Sequence, residues 1–123
     1  MSSYQIDRTR WAQLDILEQM GNIGSEVGRA INAQRAGREE RVQGAIERAL
    51  DLFSATTEQL VQEKSYRLRE VLRARNEFLR LFYDGTFQSE ADGIERYFNQ
   101  LAVAARKKGS LVGVKGTGHL TPS

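Results

Sequence analysis

The sequence predicts an all-α protein: an antiparallel up-down-up-down four-helix bundle with a flexible C-terminal tail. Three observations carry this expectation. Apolar residues recur at three- and four-residue spacing in four successive segments. The single proline, Pro122, is the penultimate residue, so nothing interrupts long helices upstream. The breaks between segments are short, and short connections favour antiparallel neighbours. At 123 residues the chain suits one domain, assigned to residues 1–108, with a tail over 109–123.

The first segment runs from about Arg8 to Gln34. Leu14, Leu17, Met20, Gly21, Gly24, Val27, Gly28 and Ile31 share one side, widened by Ile16 and Ile23. Asp15, Glu18, Asn22, Glu26 and Arg29 occupy the other, and Gly37 is a suitable stop. The second segment, about Arg38 to Val61, carries Val42, Ala45, Ile46, Ala49, Phe53, Thr56 and Leu60 in a near-heptad stripe. Glu39 and Glu40 in its first turn suit the positive end of the helix dipole. The third, about Tyr66 to Tyr83, ends at the turn signal Asp84-Gly85. The break around Glu63 to Ser65 is the weakest, and the second and third segments can also be read as one bent helix. The fourth starts after Ser89, with Asp92 as a weak capping partner. Ile94, Phe98, Leu101 and Ala105 form its stripe, joined by Tyr97, and Gly109 closes it. Gly109 to Ser123 holds four glycines and Pro122 without a helical period, and is read as a mobile tail.

Several residues bear on packing and assembly. The apolar and glycine positions of the first segment cover roughly half its circumference, more than the arc of a little over 100° that a bundle helix needs. Either this helix is better buried than the others, or part of the face meets another copy of the chain. Gly21, Gly24 and Gly28 each cost a helix about 1 kcal/mol relative to alanine, which suggests a close helix–helix contact; the alternative is a kink near Gly21. Trp11 lies on the polar side, where it suits either an interface or a fold-back over the bundle end. Trp11, Gly21, Gly24 and Gly28 are thus the candidate oligomer interface.

Arg75 falls in the centre of the stripe made by Leu68, Val71, Leu72, Phe78, Leu79 and Phe82. A guanidinium stays charged, so burial requires a carboxylate or an open interface. Glu18 and Glu26 are the candidate partners in a buried ion pair that sets bundle register; a ligand or subunit contact is the other reading.

Catalytic chemistry finds little support. There is no cysteine, and the one histidine, His119, falls in the expected tail. That leaves no basis for a Glu-x-x-His di-iron site, zinc of the usual ligand types or a serine–histidine–aspartate arrangement. No strand precedes Gly21–Gly28 and no Gly-Lys-Ser/Thr follows, so it is not a phosphate loop. The expectation is a protein that is not an enzyme and holds no metal or cofactor. No apolar run approaches the ~20 residues that span a bilayer, and the N-terminus has no signal-peptide pattern, so a cytoplasmic location without membrane association is the default.

The net charge is only +2, so any affinity for polyanions must come from clustering. Three clusters stand out: Arg35, Arg38 and Arg41; Arg69, Arg73 and Arg80; and Arg106, Lys107 and Lys108. They read as a solvated surface or as contacts for a nucleic-acid backbone or an acidic partner protein.

The runs WAQLDILEQMGNIGSEVGRAI (residues 11–31), RLREVLRARNEF (67–78) and IERYFNQLAVAAR (94–106) resemble small uncharacterised prokaryotic four-helix-bundle proteins. In size and architecture the chain is similar to the accessory proteins of diversity-generating retroelements. That resemblance implies ring-shaped oligomers that bind a reverse transcriptase and its RNA. The leading expectation is therefore a non-enzymatic homo-oligomeric accessory or scaffold protein for a nucleic-acid-handling partner. An antitoxin-like interaction module without nucleic-acid binding is the alternative.

Overall fold

Five helices, rather than four, build the chain in the computed structural model, which describes residues 6–117 and side chains as far as Lys107. They are α1 (Arg8–Ala12), α2 (Ile16–Arg35), α3 (Glu39–Gln62), α4 (Leu68–Tyr83) and α5 (Phe87–Thr117). Among the described residues there is no strand.

The expected first helix divides at Gln13–Asp15. Asp15 caps α2: its carboxylate accepts from the Glu18 backbone N–H, and the Glu18 carboxylate accepts from the Asp15 N–H. This reciprocal capping box gives α2 its own start and satisfies two backbone donors. It also occupies Glu18. The one-turn α1 has its own cap, Asp7, whose side chain accepts from the Thr9 and Arg10 N–H groups.

The ends of α2 and α3 share one geometry. At α2, the Arg38 N–H reaches the Ala33 carbonyl and the Gly37 N–H reaches Gln34, with Gly37 at φ +71°. At α3, the Ser65 N–H reaches Leu60 and the Lys64 N–H reaches Val61, with Lys64 at φ 54°. Both are Schellman closures, which need a left-handed residue one place past the cap. The second and third segments are therefore separate helices, and a lysine occupies a position where glycine carries less strain.

The C-terminal helix also differs from expectation. α5 begins at Phe87 rather than after Ser89 and continues through Gly109 to Thr117. The expected tail is thus helical at its start, while residues 118–123 and His119 lie outside the described residues.

α2 packs against α3 and α5, and α4 packs against the same two helices from the other side. Gln19 meets Thr56 and Gln59, while Glu26 meets Arg48, so α2 and α3 run antiparallel. Gly21 faces Ala102 and Arg35 meets Asp92 and Glu95, so α2 and α5 do too. Phe53, on α3, lies 6.3 Å from both Phe78 on α4 and Phe98 on α5, ring centre to ring centre. This aromatic cluster is the middle of the core, and Ile23, Val27 and Ile31 of α2 are fully buried beside it.

The wide apolar arc of α2 is explained inside the chain. A Cβ added at Gly24 would stand 3.0 Å from the Phe98 Cβ, and one at Gly21 would stand 3.7 Å from the Ala102 Cα. Gly24 therefore lets α5 approach α2, whereas a Cβ at Gly21 would make an ordinary contact with it; both positions face α5, and at Gly28 the space is open. Trp11 is also absorbed, being 8% exposed. Its indole N–H donates to the Thr56 hydroxyl at 2.9 Å, and that hydroxyl donates to Gln19 Oε1 at 2.9 Å. The Gln19 amide reaches the carbonyls of Trp11 and Leu14 and Gln59 Oε1.

Two substitutions test these features. Thr56→Val keeps the shape but strips the indole N–H and Gln19 of a buried partner, and should lower unfolding free energy by about 1–3 kcal/mol in urea titration. Lys64→Gly should raise the midpoint, gaining up to about 1 kcal/mol from relief of the left-handed strain.

Candidate polyanion-binding groove

Facing stripes of α2 and α3 enclose an open groove. On α2, Asn22, Ser25, Glu26, Arg29, Asn32, Ala33 and Ala36 follow each other at three- and four-residue spacing, so they share one side. Arg41, Gly44, Arg48 and Leu52 do the same on α3. The turn between the helices adds Arg38.

The central cavity, about 610 Å³, is lined by four arginines: Arg29, Arg38, Arg41 and Arg48. Its remaining lining includes Ala33, Ala36 and Gly44, whose small side chains leave it room, and Glu40 is the carboxylate among the lining residues. A Cβ at Gly44 would stand 3.2 Å from Arg48 Nη1, so the glycine lets that guanidinium lie along α3. Glu26 anchors the basic wall. It is 9% exposed, accepting from Arg48 Nε at 3.0 Å and from Arg29 Nη1 at 2.8 Å. Two opposite charges offset the desolvation of its carboxylate and hold both arginines in place. Arg38 and Arg41 are exposed and enter no salt bridge among the described residues.

The groove differs from the clusters expected from sequence. Arg35 does not join Arg38 and Arg41: it binds Asp92 and Glu95 and ties α2 to α5. Arg29 and Arg48 take its place. Arg29 was visible on the polar stripe with Asn22 and Glu26, but Arg48 comes from another helix and is brought in by the antiparallel packing. Arg69, Arg73 and Arg80 line a separate shallow recess on the outer side of α4, where Arg80 also pairs with Asp84 at 3.5 Å. Arg106 and Lys107 are exposed on α5, and the Lys108 side chain lies outside the described residues.

Arg75 is corrected most. It is half-buried and donates to Asn76 Oδ1 at 3.4 Å, with no salt bridge among the described residues. Glu18 is held in its capping box and Glu26 by Arg48 and Arg29, so neither partners it. The buried stripe of α4 is Val71, Ala74, Phe78 and Leu81, whereas Leu72 is 41% exposed. At 100° per residue, Arg75 lies about 80° round from the centre of that stripe. Ala74 and Leu81 shift the inward face, leaving the arginine on its flank with its head free to reach solvent.

One side chain outside the groove is strongly perturbed. Tyr97 donates to Glu70 Oε2 at 3.1 Å, and its phenol is pushed up from 10.0 to about 12. Burial is the main cause, followed by the negative charge of Glu70, the hydrogen bond to it, and the charge of Glu77. This tyrosine stays a neutral donor at any ordinary pH.

Among the described residues no group of three or more His, Cys, Asp or Glu is arranged to hold a metal ion, and no helix is long and apolar enough to cross a membrane.

Because the folded phenol binds its proton more tightly than the unfolded one, its stabilising contribution is present below about pH 10 and is lost as pH rises towards 12. Ultraviolet titration should therefore show one tyrosine ionising late. Tyr97→Phe should remove that late step and flatten the fall in stability over the same window.

No protein-family model, curated protein or solved structure matches the chain.

Proposed function

We propose that this protein is a non-enzymatic accessory or scaffold protein that contacts nucleic acid through its basic surfaces, in company with a nucleic-acid-handling partner such as a reverse transcriptase. One observation carries the reading: four guanidiniums from two helices and their connecting turn line a single cavity in a chain whose net charge is only +2. Arginine forks match phosphate oxygens, and neutralising phosphates releases counterions, so such a cavity favours polyanions. The arrangement of α2–α5, each with two neighbours around one aromatic cluster, supports an up-down-up-down bundle as its frame.

Self-association belongs to the same proposal. Trp11, Gly21 and Gly24 are engaged within the chain, which leaves Gly28 as the open position of the expected interface. The outer side of α4 is the best-supported surface, with exposed Leu72 among Arg69, Arg73 and Arg80 and with Tyr66 exposed just before the helix. The same mixture of apolar and basic groups supports the second reading, an antitoxin-like interaction module that binds one protein and no nucleic acid.

Filter binding to RNA over a salt series separates the two. Binding should weaken steeply as salt rises, and Arg38→Gln with Arg41→Gln should lower the slope of log K against log salt by about one per arginine. No retention at low salt rejects the nucleic-acid reading. Light scattering at tens of micromolar should find an oligomer; a monomer rejects self-association.

A further inference from the structure

The arginine cavity is the middle of a longer trough. A recess of about 450 Å³ adjoins it at Arg29, and another of about 690 Å³ adjoins it at Arg38 and Arg41. Between Asn22 and Gln34 the trough follows α2 for about 18 Å. Its two ends differ in chemistry. The loop end is charged, with Arg38, Arg41, Glu39 and Glu40. The α1 end is mixed: Trp11, Leu14 and Leu52 supply apolar walls, while Asn22, Ser25 and Glu26 supply polar groups.

We propose that this trough binds single-stranded nucleic acid, with phosphates on the arginine wall and one base in the recess beside Trp11. The proposal rests on the polyanion reading above and narrows its ligand. Size decides between one strand and two. The recess of about 450 Å³ has room for one unstacked base, which a single strand can present and an intact duplex keeps inside its stack. A single strand can lay its backbone along such a groove and turn a base aside into the recess, where the mostly buried Trp11 is one edge of an apolar wall rather than an open stacking platform. The recess suits a base because it joins apolar walls to donors and acceptors. Asn22 and Ser25 are exposed, and among the described residues their side chains donate to backbone carbonyls of α2, those of Glu18 and Gly21. Glu26 limits non-specific capture by neutralising part of the wall, leaving Arg38 and Arg41 as the freer cations.

Trp11 is the only tryptophan, so its emission reports on the recess directly. The full chain is titrated with a ten-residue oligouridylate, with an RNA duplex of equal length and with inorganic tripolyphosphate, by fluorescence anisotropy or calorimetry as each probe allows. Tryptophan emission is followed throughout. The single strand should bind at least tenfold more tightly than the duplex and quench Trp11, while tripolyphosphate should bind without quenching. Ser25→Leu, which fills the recess on an exposed site, should weaken oligouridylate roughly tenfold and leave tripolyphosphate unchanged. Equal affinity for the duplex overturns the single-strand assignment and leaves the polyanion reading standing. Binding of the single strand with unchanged Trp11 emission, or with no loss in Ser25→Leu, overturns the placement of the base. Absence of nucleic-acid binding at low salt overturns this proposal and the nucleic-acid reading together.

Discussion

Gln19 is buried at the point where α1, α2 and α3 meet, and its amide uses both of its ends. It accepts from Thr56 and donates to the carbonyls that precede α2, while Thr56 accepts from the Trp11 indole. A buried amide of this kind is tolerated only when its donors and acceptors are met, so the chain has one arrangement here that satisfies all of them. That arrangement folds α1 back over the end of the core, sets the level of α2 against α3 and buries the tryptophan. The position of α3 then decides where Arg48 stands, and with it the basic wall of the groove.

α2 is the helix most fully shared. One part of its surface receives α5 through Gly21 and Gly24, another receives α3, and the strip that remains carries Asn22, Ser25, Glu26 and Arg29. The breadth of its apolar arc follows from having two large neighbours and α1 at its start. The strip left over is the floor of the trough, so packing and the candidate site are two uses of one helix.

Charge is divided in a similar way. Arg35 joins α2 to α5, Arg8 joins α1 to Glu58 of α3, and Arg29 and Arg48 share the buried Glu26. These arginines hold elements together or hold one another in position. Exposed pairs such as Arg8–Glu58 contribute little stability, whereas the pair at Glu26 prevents an uncompensated charge from being buried. Arg38, Arg41, Arg69 and Arg73 are left facing solvent. The mild net charge of the whole chain therefore conceals a local concentration of positive charge.

The periodic spacing of apolar residues was enough to identify an all-helical chain and to place most of α3 and α4, because a helix repeats every 3.6 residues whatever surrounds it. The turn at Asp84-Gly85 and the stop at Gly37 were equally local, since each depends on a left-handed backbone that glycine adopts readily. The capping box at Asp15 and Glu18 was present in the sequence too, but the apolar period runs across it and masks the break. Other features had no local signal. The orientation of Arg75 depended on how α4 is rotated against its neighbours, and a residue's own helix does not specify that rotation. The burial of Trp11 required Thr56 and Gln19, 45 and eight residues away in sequence. The groove needed Arg29 and Arg48 to face each other across two helices. Helix type is a property of neighbouring residues, whereas partners of side chains are chosen by packing, and only the tertiary structure decides which stripes meet.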